Sequence, residues 1–143
     1  MEIDDLSGIG PFSMYPRTSA IETNQVLNLS GAPYVIPNYK AVGTVVFQNN
    51  TPMCQYRAVG HPIAVAITEA LIDKAAYKID MDIDKIRKIN FIPDNAYPNK
   101  CPSGVPLEDL SHEASMDKLL EIMDIKEIEA VSYTHLTLPT SQY

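Results

Sequence analysis

The sequence predicts an α+β fold with one main interior strand and about four helices. Two patterns carry this prediction. Val42, Thr44 and Val46 alternate with Gly43, Val45 and Phe47, so Tyr39 to Gln48 is largely apolar on both sides, as in a strand covered on both faces. From Pro62 to about Ile79, the residues Ile63, Ile67, Leu71 and Ala75 recur at every fourth position, which is the spacing of one helical face.

Residues 1 to 17 read as loop, punctuated by Gly8, Gly10, Pro11 and Pro16. Ser19-Ala20-Ile21-Glu22 has the form of a capping box, the serine bonding forward and the glutamate reaching back, so a helix is expected from about Ala20 to Leu29. Gly31 should end it. Pro37 pushes Ile36 out of helical geometry and leaves Tyr34 to Asn38 extended. In the long helix, Pro62 suits the first position, where its missing N–H costs nothing. Glu69 and Asp73 lie four residues apart on that helix, a like-charge pair that a cation would match, and Arg87 is the candidate. Asp82 is placed to cap a short helix through Asn90 with Ile83, Ile86 and Ile89 inward. Asn95 to Pro106 reads as loop, and a last helix is expected from about Ser115 to Met123.

Composition narrows the function. At 143 residues, with 45% hydrophobic and 20% charged residues, the chain has ordinary globular composition. A formal charge of −7 and a pI near 4.8 argue against a nucleic-acid partner, which would require a basic face. The most apolar stretch, Ile63 to Ile79, carries Glu69, Asp73, Lys74 and Lys78, so no membrane span is expected. The acidic start, Met1-Glu2-Ile3-Asp4-Asp5, is unlike a secretory signal, and the compartment stays open with the cytoplasm favoured. Cys54 and Cys101 lack metal-ligand spacing and read as unpaired thiols. His61, His112 and His135 show no ligand spacing either, so no metal-ligating side chains are assigned.

Gln55-Tyr56-Arg57-Ala58-Val59-Gly60-His61-Pro62 is the most informative segment, because it joins the strand region to the long helix through small residues around one arginine. A helix entered from such a loop presents free backbone N–H groups and the positive end of its dipole, both suited to an anionic ligand. Ala58 and Gly60 leave room for close approach, and the Arg57 guanidinium offers a planar fork of donors. Taken alone, the segment also reads as an exposed connecting loop, with His61 a simple loop residue.

Five blocks in order resemble the large, molybdopterin-binding subunit of the xanthine dehydrogenase, aldehyde oxidase and carbon monoxide dehydrogenase family. They are Gly31-Ala32-Pro33-Tyr34-Val35-Ile36-Pro37-Asn38, then Asn49-Asn50-Thr51-Pro52, then Tyr56-Arg57-Ala58-Val59-Gly60-His61-Pro62, then Glu69 with Asp73, then Asp82 through Asn90. Ile83 and Lys85 depart from the family pattern, which has proline and glutamate there. The resemblance implies an internal fragment of a longer subunit that oxidises or hydroxylates an aldehyde, an N-heterocycle or a related substrate at a molybdopterin centre. It implies cofactor contacts at Arg57, Ala58 and Gly60, and a substrate-pocket position at Val59. Ala58 stands where the carbon monoxide oxidisers place cysteine, which speaks against that reaction.

The family's Gly-rich cofactor loop and its general-base glutamate are expected to lie outside this chain, so no catalytic residue is assigned and the chain alone should be inactive. Iron–sulfur and FAD centres are expected on partner subunits or missing parts; the dinucleotide form of the pterin is left open. Residues 1–130 are thus expected to be a partial molybdopterin-binding domain. Val131 to Thr140 matches no family block and resembles translated read-through of a sequencing adapter, so 131–143 is expected to be a non-biological tail, the alternative being a Thr-rich strand. A rival function is a non-catalytic acidic interaction or scaffold protein that shares the fold elements.

Overall fold

A computed structural model describes residues 1–11, 20–51, 56–123 and 127–128. The chain forms strand β1 (Glu2–Ile9), helix α1 (Ala20–Leu29), strand β2 (Lys40–Phe47), helix α2 (His61–Ile79), helix α3 (Ile83–Asn90), a 3-10 turn (Asp94–Ala96), the short strands β3 (Asn99–Lys100) and β4 (Pro106–Leu107), and helix α4 (His112–Ile122). The α+β class with four helices agrees with expectation. The segments around Ser19, Pro52 to Gln55 and Val131 to Tyr143 lie outside the described residues.

Residues 1 to 17, expected as loop, contain β1. It pairs with β2 in parallel over eight positions, from Glu2 opposite Lys40 to Ile9 opposite Phe47. Local propensity gives little hint of it, because Glu2, Asp4, Asp5 and Gly8 are poor strand formers. Burial decides instead: Ile3 and Ile9 are buried on the side where α1 lies.

β2 matches its expected range to within a residue, but among the described residues it is covered on one face only. At Gly43, a Cβ would meet Thr23 Cγ2 at 2.5 Å and Leu27 Cδ1 at 2.9 Å, which shows how closely α1 lies on the sheet. The opposite face carries Val42 at 47% exposure and Leu6 at 72%. A parallel pair is normally covered on both sides. The apolar alternation therefore records a cover that these residues do not supply.

α1 spans its expected range, and Gly31 follows it with φ of +88°. Tyr39 Oη donates to Leu27 O near its end.

α2 begins at His61, so Pro62 takes the second helical position rather than the first; its lack of an N–H is equally harmless there. The expected packing face is displaced by one residue. Ala64, Thr68 and Ala76 are buried, whereas Ile63 and Leu71 are each 42% exposed. The reason is steric: small side chains at four-residue spacing admit the neighbouring backbone closely. Thr68 fills this role with its hydroxyl satisfied, donating to Ala64 O at 2.7 Å and accepting from Gly31 N–H at 2.9 Å.

The cation expected between Glu69 and Asp73 is Arg87. Its Nε donates to Glu69 at 2.9 Å and its Nη2 to Asp73 at 2.7 Å, joining α3 to α2. Tyr34 Oη also donates to Glu69, at 3.0 Å. Tyr34 is only 2% exposed, and burial together with the adjacent carboxylate pushes its phenol well above the usual range. For Arg87, burial disfavours the charge, but its hydrogen bonds to Asp73 and Glu69 outweigh that effect and hold it protonated. Charge-assisted bonds of this sort contribute about 1.5–3 kcal/mol each when partly shielded from water.

α3 corrects a second face. Ile86 is buried, but Ile83 and Ile89 are exposed, because an eight-residue helix anchored through Arg87 turns only a narrow stripe inward. Asp82 does occupy the N-cap, yet it contributes its backbone carbonyl to Ile86 N–H and no side-chain cap.

Asn95 to Pro106, expected as loop, includes the end of the 3-10 turn and the β3–β4 hairpin. α4 begins at His112, three residues earlier than expected, because its cap comes from a distant segment. Asp94 accepts from the N–H groups of Glu113 and Ala114 at 3.0 Å each, and Glu113 returns a bond to Asp94 N–H at 2.8 Å. Beside this cap, His112 Nδ1 lies 3.0 Å from Tyr97 Oη, and the His112 ring lies 6.0 Å from Phe91, which stacks on Tyr34.

Burial lowers the pKa of His112 despite an opposing pull from Asp94, which favours the neutral ring, and its Nδ1 shares a hydrogen bond with the Tyr97 hydroxyl. A folded-state value below the unfolded one, about 6.5, means that the unfolded chain binds more protons as the pH falls. The contribution is therefore complete above about pH 6.5 and is lost as the pH falls through the folded-state value. Urea titrations at a series of pH values should show stability declining below about pH 6.5, and His112→Phe should remove that slope. An identical slope in His112→Phe would show that other groups cause the decline.

Candidate functional site

The segment that leads into α2 is shaped by three local bonds. Val59 N–H donates to Tyr56 O at 3.2 Å, and His61 N–H donates to Ala58 O at 2.7 Å. The His61 ring adds a third, with Nδ1 2.9 Å from Ala58 O. A carbonyl oxygen can only accept, so Nδ1 carries the proton in this contact. The resulting turn places Ala58 at φ +69° and Gly60 at φ +75°, both in the left-handed region. For glycine that region is free of strain, but for alanine it costs about 1–2 kcal/mol.

The four residues assigned to the site from sequence are consecutive and face different ways. Arg57 and Ala58 are exposed, Val59 is half-buried, and Gly60 is buried. Gly60 turns inward. A Cβ on it would lie 2.6 Å from Glu22 O and 3.0 Å from Val26 N, so this glycine lets the α2 entry rest on the α1 backbone. The room expected beside Gly60 is thus occupied by α1, and the open side of the loop is that of Arg57 and Ala58.

Arg57 makes no ion pair among the described residues. In a chain with formal charge −7, a guanidinium unpaired among the described residues near the first turn of a 19-residue helix is the arrangement that an anionic group fits. Its planar fork suits phosphate or other paired oxygens. The residues present therefore fit an anionic cofactor.

A cleft of about 330 Å³ is lined by Tyr34, Ile36, Ile92, Lys100, Cys101 and neighbouring residues, none of them in the Arg57 segment. Cys101 is buried with its thiol 3.3 Å from Asn28 O. Among the described residues, no three His, Cys, Asp or Glu side chains are gathered into a metal-ligand set, and no helix is long and apolar enough to cross a membrane.

Sequence reasoning missed two parts of this site: the ring bond from His61 and the α1 backbone behind Gly60. The spacing of His61 to Ala58 is that of a tight turn, which is a signal too common to single out. The α1 contact spans more than thirty residues of sequence and leaves no local trace.

The fold and the loop together match a known class. Residues 1–91 match the model of the molybdopterin cofactor-binding domain, and the chain belongs to that family. It is 32% identical over 90 residues to aldehyde oxidoreductase of Megalodesulfovibrio gigas, an alignment that covers 63% of this chain and 10% of that protein. Among solved structures, quinoline 2-oxidoreductase from Pseudomonas putida 86 superposes with a TM-score of 0.79 at 20% identity, covering 92% of this chain and 17% of the other. Aldehyde oxidoreductase from Desulfovibrio gigas superposes at 0.68 with 26% identity, covering 82% of this chain and 13% of the other. The chain thus spans a small fraction of the length of each protein it matches.

Gly60→Ala should test the inward role of this glycine. The added methyl group meets backbone on α1 in a strained conformation, so stability should fall by about 1–3 kcal/mol in a urea titration. An unchanged midpoint would mean that the loop does not rest on α1 as described.

Proposed function

We propose that residues 1–130 are part of the large subunit of a molybdenum hydroxylase, and that the Arg57 loop is one of the segments that hold its molybdopterin. The carrying observation is Arg57 itself: exposed, without an ion pair among the described residues, and close to the start of α2. Family membership supports the reading, since it supplies an anionic cofactor for a site with no counter-charge among the described residues.

In this reading the Arg57 guanidinium donates hydrogen bonds to anionic oxygens of the cofactor, and the dipole of α2 reinforces them. Ala58 offers a small, non-ligating surface beside it, and Val59 borders the substrate. Gly60 contributes by seating the loop. The bound molybdenum centre supplies the oxidation chemistry, while the chain binds and orients.

The substrate class is an aldehyde, an N-heterocycle or a related compound. Ala58 has no thiol, so carbon monoxide is not the substrate we propose. Electrons would pass to iron–sulfur and FAD centres on partner subunits or other parts of the longer protein. The chain alone would have no turnover, because none of its residues is assigned as the general base.

In the complete subunit, Arg57→Ala should lower molybdenum content or turnover on the order of tenfold, as loss of one charge-assisted bond implies. Arg57→Lys should recover part of it, since lysine keeps the charge but not the fork. Both are read by metal analysis and turnover on the same preparations. Full metal loading with unchanged activity in Arg57→Ala would overturn the assignment.

A further inference from the structure

We propose that His61 is a positioning residue for the Arg57 loop, holding Ala58 in the left-handed conformation from which Arg57 faces solvent. The inference rests on the cofactor-binding reading above. Its observation is the doubly bonded carbonyl of Ala58, which accepts from His61 N–H at 2.7 Å and from His61 Nδ1–H at 2.9 Å. The same ring nitrogen lies 3.3 Å from Val59 O, so one side chain braces the carbonyls of both residues that follow Arg57.

The backbone bond alone could be made by almost any residue at position 61. The ring bond could not. It is directed at the residue with φ +69°, where an alanine must be held against its own preference. On its inner side the loop is stopped by α1 at Gly60, and beside the Val59 N–H bond to Tyr56 O the described side-chain bonds that hold it are those of His61. His61 thus braces the loop on the side away from α1, next to Arg57.

One consequence separates this role from ordinary stabilisation: the need for His61 should vanish when position 58 no longer resists the conformation, as with glycine.

The test uses the complete subunit in four variants, with molybdenum per polypeptide after gel filtration as the readout. His61→Ala should lower molybdenum retention roughly three- to tenfold, the effect of one hydrogen bond. His61→Asn, whose amide N–H can stand in for Nδ1–H, should recover most of it. Ala58→Gly combined with His61→Ala should also recover it, which a general loss of stability would not do. Full retention in His61→Ala, alongside loss in Arg57→Ala, would overturn the role of His61 and leave the cofactor reading intact. Failure of Ala58→Gly to rescue His61→Ala would likewise overturn it. Full retention in Arg57→Ala would overturn the cofactor reading and this inference together.

Discussion

The close approach of α2 to α1 is the constraint on which the rest depends. Gly60, Ala64 and Thr68 form its inner edge, and each is small enough to let the helices meet near the entry of α2. Because Gly60 rests against the carbonyl of Glu22 and the amide of Val26, the loop before it has no freedom on that side. Arg57 and Ala58 must then lie on the open side. The loop that carries a candidate cofactor contact is thus seated by packing between two helices.

A second anchor fixes α2 about two turns further along. Glu69 collects a phenol from Tyr34 and a guanidinium from Arg87, while Asp73 takes the other arm of the same arginine. Tyr34 stacks on Phe91, and Phe91 meets the ring of His112 on α4, so this charge cluster continues into an aromatic row. Burial acts on both Tyr34 and Arg87 in this cluster, and the Tyr34 hydroxyl and the Arg87 guanidinium are both satisfied by carboxylates. Together the two anchors hold α2 at its inner edge and along its side, leaving its first turn exposed.

Some of this was legible in the sequence, and the reasons differ by element. The Glu69, Asp73 and Arg87 cluster followed from a like-charge pair at helical spacing, because two adjacent carboxylates must find a cation or remain in water. The ranges of α1, β2 and α2 followed from turn residues and periodicity. β1 did not, since its strand character comes from pairing with β2 and not from its own residues. The packing faces of α2 and α3 were misjudged because apolar periodicity marks what wants cover, whereas the described chain buries Ala64, Thr68 and Ile86. Exposed Ile63 and Leu71, with the open face of the sheet, fit a domain that occupies a small part of the proteins it resembles. For the site, order and spacing of the motif pointed to Arg57, but the ring of His61 and the backstop of α1 required coordinates.

The central claim is that packing at Gly60 presents Arg57 to an anionic cofactor. The most direct measurement is an experimental structure of the complete, molybdenum-loaded subunit. The account predicts Arg57 donating to anionic oxygens of the pterin, with Gly60 against α1 and the His61 ring on the Ala58 carbonyl. A structure in which Arg57 is paired with a protein carboxylate, and the cofactor is held entirely by other segments, would contradict it.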